Sequence, residues 1–118
     1  LPGTGDGTLA NPIDVTRALA YIASGHDDAT EYYIKGKISL VNSVDTGTYG
    51  NAEYYISNDG TTSNHLMVFR GYWLNGAKFT TATASQLTVG KTVVILGKLK
   101  DYNGTPEVDQ RSKIISIN

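Results

Sequence analysis

Few side chains in this chain are equipped for covalent chemistry. None of the 118 residues is cysteine, which removes thiol nucleophiles, disulfides and thiolate metal sites. His26 follows a helix-like segment and His65 stands at a strand start. No GxSxG elbow, HExxH pair or phosphate loop accompanies them. Asp27, Asp28 and Glu31 gather beside His26, but without the oxygen-ligand spacing of an EF-hand, and a solvated turn accounts for them. Asp45 and Asp59 read as turn residues. Catalysis, a metal and a cofactor are therefore not expected. What remains is non-covalent binding. Alternation sets Met67 and Phe69 opposite to Leu66 and Val68, and Tyr55 opposite to Tyr54 and Ile56. Exposed rings of this kind stack on nucleobases, each worth roughly 1–3 kcal/mol, or on the C–H faces of sugars. Lys35 and Lys37 share one strand face, as do Lys98 and Lys100, with Arg70 and Lys78 nearby in type. The same lysines also guard exposed sheet against aggregation.

These side chains must be positioned by strands. Residues 32–42 alternate, with Tyr32, Ile34, Gly36, Ile38 and Leu40 on the inward face. Further runs cover residues 52–58, 65–71 and 91–102. A fifth starts at Thr105, breaks near Gln110-Arg111-Ser112 and resumes through Ile114, Ile115 and Ile117. Asn103-Gly104 is the strongest hairpin signal. Between the third and fourth runs lie Trp73, which suits either a plug at the barrel end or a ligand contact, Asn75-Gly76 and a Thr/Ala-rich piece expected to make a short helical turn. Gly36 and Gly97 interrupt two runs, as glycines do at bulges, bends or close backbone approaches. Two such interruptions suggest strands that coil to close a small barrel.

Ahead of the strands, Asn11 is expected to cap a helix that has Pro12 in its first turn and ends at Gly25. Val15, Ala18, Leu19 and Ile22 form its apolar face. The Gly/Thr-rich residues 1–10 are expected to be extended or mobile. Leu1-Pro2-Gly3-Thr4-Gly5 matches a sortase sorting pattern, but no apolar segment and basic tail follow it, so a flexible leader is the expectation. Residues 1–25 are thus leader plus packing helix, and 26–118 the barrel. The chain carries 10 basic and 11 acidic residues, a net charge of −1. That balance argues against tight phosphate binding by the whole surface and leaves room for a local basic groove. No stretch approaches the ~20 apolar residues that cross a bilayer.

Several motifs carry a resemblance: Ile34-Lys35-Gly36-Lys37-Ile38, Tyr54-Tyr55-Ile56-Ser57, Val93-Val94-Ile95-Leu96-Gly97-Lys98-Leu99 and Tyr102-Asn103-Gly104-Thr105-Pro106-Glu107, led by Gly7-Thr8 and Asn11-Pro12-Ile13-Asp14-Val15. In this order they resemble OB-fold domains of exported or lipid-anchored bacterial proteins, a family described as nucleic-acid-binding. The resemblance implies an all-β fold with one N-terminal helix, a five-stranded Greek-key barrel and export to the periplasm or cell surface. It further implies a ligand face on strands two and three, carrying Tyr55, Met67 and Phe69, with Tyr49 and Tyr102 on the flanking loops. Because the first strand of such a barrel pairs with the second and the fourth, Lys35, Lys37, Lys98 and Lys100 are expected to form one basic strip that Arg70 extends. The implied function is a non-enzymatic module that binds single-stranded nucleic acid weakly, as an accessory domain of an exported protein. An oligosaccharide-binding module is the first alternative, and an interaction or spacer domain within a larger exported protein, with no small ligand, the second.

Overall fold

The computed structural model describes residues 1–26 and 29–118. Alternating apolar residues become seven strands: β1 (Ile13–Asp14), β2 (Glu31–Val44), β3 (Ala52–Ser57), β4 (Leu66–Leu74), β5 (Thr92–Tyr102), β6 (Thr105–Val108) and β7 (Lys113–Ile117). Two helices accompany them, α1 (Val15–Ala23) and the single turn α2 (Thr81–Ala84). Antiparallel pairings join β2 to β3, β3 to β4, β5 to both β6 and β7, and β2 to β5. Parallel pairings join β4 to β6 and β7. Neighbours therefore lead from β2 through β3, β4, β6 and β5 back to β2, and the single sheet curls into a partly closed ring. The chain is mostly β.

Five runs were expected and seven strands form. Run five is divided into β6 and β7 by a corner at residues 109–112, and Ile13–Asp14 adds a short parallel strand opposite Ile34 and Lys35. Asn103 and Gly104, at φ +51° and +89°, make the two-residue hairpin between β5 and β6. The interior is filled by inward residues such as Ile34, Tyr54, Ile56, Val68, Ile95 and Leu99, all essentially inaccessible. Burial raises the pKa of the Tyr54 phenol, so the ring sits in the core uncharged. Trp73 is buried against Phe79, with ring centroids 5.2 Å apart.

Gly36 and Gly97 work by absence of bulk, not by unusual backbone angles. A Cβ on Gly36 would stand 2.9 Å from Val15 Cγ2 of α1 and 3.2 Å from Ile56 Cβ. A Cβ on Gly97 would stand 2.6 Å from Val108 Cγ1 and 2.8 Å from Ser112 Cβ. The first glycine thus seats α1 on the sheet, and the second seats the β6–β7 corner.

Two expectations are corrected. The helix is capped by Asp14, not Asn11. Its carboxylate accepts from Arg17 N at 2.8 Å, and Asn58 Oδ1 accepts from Val15 N at 2.9 Å, while Ile13 is held in the ladder with β2. Leu40 faces outward, 39% exposed, because a bulge between Ile38 and Leu40 adds one residue to β2 and sets Leu40 opposite the outward Tyr55. The leader follows a bonded course: the Arg17 guanidinium donates to the carbonyls of Leu1, Pro2, Gly3 and Gly5 at 2.6–3.3 Å. Gly7 O accepts from Tyr33 N at 2.9 Å, which ties the leader to β2.

Replacing Gly97 by Ala forces the β6–β7 corner off the sheet, and Gly97→Ala is expected to lower stability by roughly 1–3 kcal/mol, the usual cost of overpacking. Urea unfolding measures it; an unchanged midpoint contradicts the role given to this position.

Candidate ligand-binding face

The outer face of β3 and β4 gathers most of the aromatic candidates. Cross-strand register places Leu40 of β2, Tyr55 of β3, Met67 of β4, Glu107 of β6 and Lys100 of β5 on one continuous rung. Tyr55 and Met67 are directly opposite each other and half-buried. Next to them, His65 stacks on Tyr55 with ring centroids 4.1 Å apart, and its Nδ1 lies 3.3 Å from the buried Ser39 hydroxyl. No pattern in the sequence marks this pairing, because the extra residue at Ser39 shows only against its partner strand β3.

Two clefts open on this face. A cleft of about 480 Å³ is lined by Phe69, Arg70, Lys100, Tyr102, Glu107, Asp109 and Gln110. A smaller one, about 200 Å³, is lined by Tyr49, Asn51 and Arg70. Tyr49 and Tyr102 are 67% and 56% exposed, and each stands on a shaped loop. Asp45 accepts from the Gly47 and Tyr49 amides at 2.8 and 3.0 Å, and the loop is pinned to the segment after β4 by Phe79 N donating to Gly50 O at 2.9 Å. Asp101 accepts from Gly104 N at 2.8 Å and fixes the Tyr102 hairpin.

Arg70 belongs to both clefts, and its backbone explains why. Between the pairs Tyr54–Val68 and Ala52–Gly71, β3 has one residue and β4 has two, so β4 bulges at Phe69 and Arg70. Arg70 adopts φ +49°, where a non-glycine residue costs roughly 1–3 kcal/mol. Arg111, at φ +73°, donates its amide to Arg70 O at 3.1 Å, which links the two left-handed arginines. The bulge swings the Arg70 guanidinium over the Phe69 ring, 4.9 Å from its centroid.

The expected single basic strip does not form. Lys35 and Lys37 sit opposite Val94 and Thr92, whereas Lys98 sits opposite Glu31, four residues along β2 from Lys35. Antiparallel pairing thus sends the two lysine pairs toward opposite ends. Lys35 and Lys37 line a different cleft, about 480 Å³, with Thr4, Asp14 and Asn58. Lys100 lies 4.0 Å from Asp109 and 5.8 Å from the Tyr102 ring centroid. Lys78 is turned to the Thr48 carbonyl at 3.3 Å.

Acidic residues of this face are what sequence reading missed. Glu107 is only 5% exposed at the floor of the larger cleft. Burial raises its pKa, nearby Asp109 and Glu53 add to the rise, and Lys100 opposes it. Proximity of Glu107 to Thr105-Pro106 in an edge-like run gave no hint of burial; the parallel pairing with β4 is what covers it. Asp27 and Asp28, of the acidic group beside His26, lie outside the described residues. Among the described residues no three His, Asp or Glu side chains converge into a metal-holding group. No helix among them is long and apolar enough to cross a membrane.

No protein-family model matches the chain, and no curated protein matches it.

A carboxyl whose pKa is higher folded than unfolded binds its proton more tightly in the native state. Stability therefore declines as pH rises from the ordinary glutamate value through the folded one. Glu107→Gln is expected to remove that decline, raising stability at neutral pH relative to the parent while leaving acidic stability nearly unchanged. Urea midpoints across pH 4–8 test this, and parallel curves for the two proteins refute it.

Proposed function

We propose that this chain is a non-enzymatic binding module with an OB-type Greek-key barrel, and that it engages an oligosaccharide on the outer face of β3 and β4. The barrel reading is supported by the return of neighbour pairings to β2 and by the position of β6 between β4 and β5. Five runs of the sequence map onto β2, β3, β4, β5 and the divided β6–β7 pair.

One observation carries the choice of ligand. On this face aromatic and thioether surface coincides with balanced charge: Tyr49, Tyr55, Met67, Phe69 and Tyr102 stand among Arg70 and Lys100 on one side and Glu107 and Asp109 on the other. A polyphosphate needs an electropositive track. A sugar needs a ring to stack on and a mixture of donors and acceptors for its hydroxyls, which is what carboxylates, Gln110 and Asn51 supply. In the setting the resemblance implies, the module is an accessory domain of an exported protein.

A second reading keeps single-stranded nucleic acid, favoured by Arg70 over Phe69 and the Tyr55–His65 stack. Calorimetric titration with a panel of plant and bacterial oligosaccharides, and in parallel with single-stranded DNA and RNA, separates the two. Saccharide binding that changes little between about 50 and 200 mM salt, and that Tyr102→Ala or Phe69→Ala weakens about fivefold, supports the proposal; a lost aromatic contact is worth roughly 1 kcal/mol. Steeply salt-dependent binding of single strands alone overturns it in favour of the second reading. Absence of both leaves an interaction domain with no small ligand.

A further inference from the structure

The two clefts share a residue but differ in chemistry. The smaller is lined by Tyr49, Asn51 and Arg70, none of which is acidic, and each of which carries a hydrogen-bond donor: a phenol, a carboxamide and a guanidinium. Across Arg70, the larger cleft offers two rings together with Glu107, Asp109 and Gln110, which accept hydrogen bonds as hydroxyl groups donate them. Arg70 differs from the lysines around it. Lys100 has Asp109 at 4.0 Å and Lys78 has the Thr48 carbonyl. Among the described residues, the Arg70 guanidinium has the Phe69 ring as its neighbour and no carboxylate.

Its position is also costly to the fold. Among the described residues, three of the five non-glycine residues at positive φ are asparagines, which tolerate that region; the other two are Arg70 and Arg111, bonded to each other through the backbone. A β-bulge that holds a long cation in a disfavoured conformation at the junction of two clefts re-aims that side chain, and strain of this kind collects at ligand-contacting positions.

We infer that Arg70 reads a single carboxylate on the ligand, so that the oligosaccharide taken by this face is an acidic one containing a uronic acid. The inference rests on the saccharide-binding reading above. The carboxylate enters the smaller cleft, where the planar guanidinium meets it with two parallel N–H donors and Asn51 adds a third. The sugar ring continues past Arg70 toward Phe69 and Tyr102, and its hydroxyls meet the acceptors of the larger cleft. The carboxylates of this face are engaged elsewhere: Asp109 is matched by Lys100, Glu53 accepts from Asn42 Nδ2 at 2.8 Å, and Glu107 lines the larger cleft and not the smaller.

The test uses matched probes that differ only at the carboxyl position: oligogalacturonate, oligomannuronate and hyaluronan oligosaccharides, each beside its uncharged methyl-esterified and carboxyl-reduced forms. Affinities are measured for the parent, Arg70→Ala, Arg70→Lys, Arg70→Gly and Asn51→Asp, with urea midpoints for each protein. At least one acidic probe should bind more tightly than its neutral partner, and Arg70→Ala should weaken that probe about tenfold or more and its neutral partner by a clearly smaller factor. Arg70→Lys should restore only part of the loss, because an ammonium lacks the fork. Asn51→Asp should weaken the acidic form selectively. Arg70→Gly relieves the backbone, so its midpoint should hold or rise while the acidic probe is lost, which separates recognition from folding. Equal binding of acidic and neutral forms, or equal loss of both in Arg70→Ala, overturns the role of Arg70 and leaves the saccharide module standing. Failure of every acidic and neutral probe overturns both.

Discussion

Close approach at two side-chain-free positions is the constraint on which the structure depends. At Gly36 the sheet admits Val15 of α1, and at Gly97 it admits Val108 and the Ser112 corner. Without the second contact β6 loses its seat against β5, and the link from β4 to β5 is left to β7. β6 and β7 both bridge β4 to β5 in the partly closed ring, and β6 also brings Glu107 into the cleft with Phe69 and Tyr102. The seat of β6 and the floor of the larger cleft thus depend on the same close approach.

Bulges do the finer work. In β2 a single extra residue turns Leu40 out, so that an apolar side chain joins the rung of Tyr55 and Met67, while the covered Ser39 hydroxyl meets His65. In β4 the bulge at Phe69 and Arg70 carries the guanidinium across its own neighbour's ring. Both devices depart from strict alternation, and both place the departing residue on the same outer face. The face that results is aromatic and charge-balanced, which suits a ligand with rings and hydroxyls better than one with a phosphate at every step.

Much of this arrangement was legible in the sequence because it follows from period two. Leu66 and Val68 inside with Met67 and Phe69 outside, Tyr54 in the core and Tyr55 at the surface, and the Asn103-Gly104 turn are local consequences of pattern and backbone preference. Pairing partners were less accessible. Lysines on one face of β2 and one face of β5 looked like a strip, but antiparallel register set them at opposite ends, and register is a property of two strands together. The bulges were invisible for the same reason: an extra residue shows only against its partner strand. The cap of α1 shifted from Asn11 to Asp14 because Ile13 is claimed by the ladder with β2, a tertiary contact that outweighs the local capping preference. Glu107 lies in a run whose sequence marks no burial, and only the pairing of β6 with β4 shows it covered.

The central claim is that the ligand lies across β3 and β4 between Tyr49 and Tyr102. Amide and methyl chemical-shift mapping with the tightest-binding oligosaccharide tests it most directly. Changes concentrated at Tyr49, Asn51, Tyr55, Met67, Phe69, Arg70 and Tyr102 agree with the account. Changes centred instead on Thr4, Lys35, Lys37 and Asn58, across the molecule, contradict it.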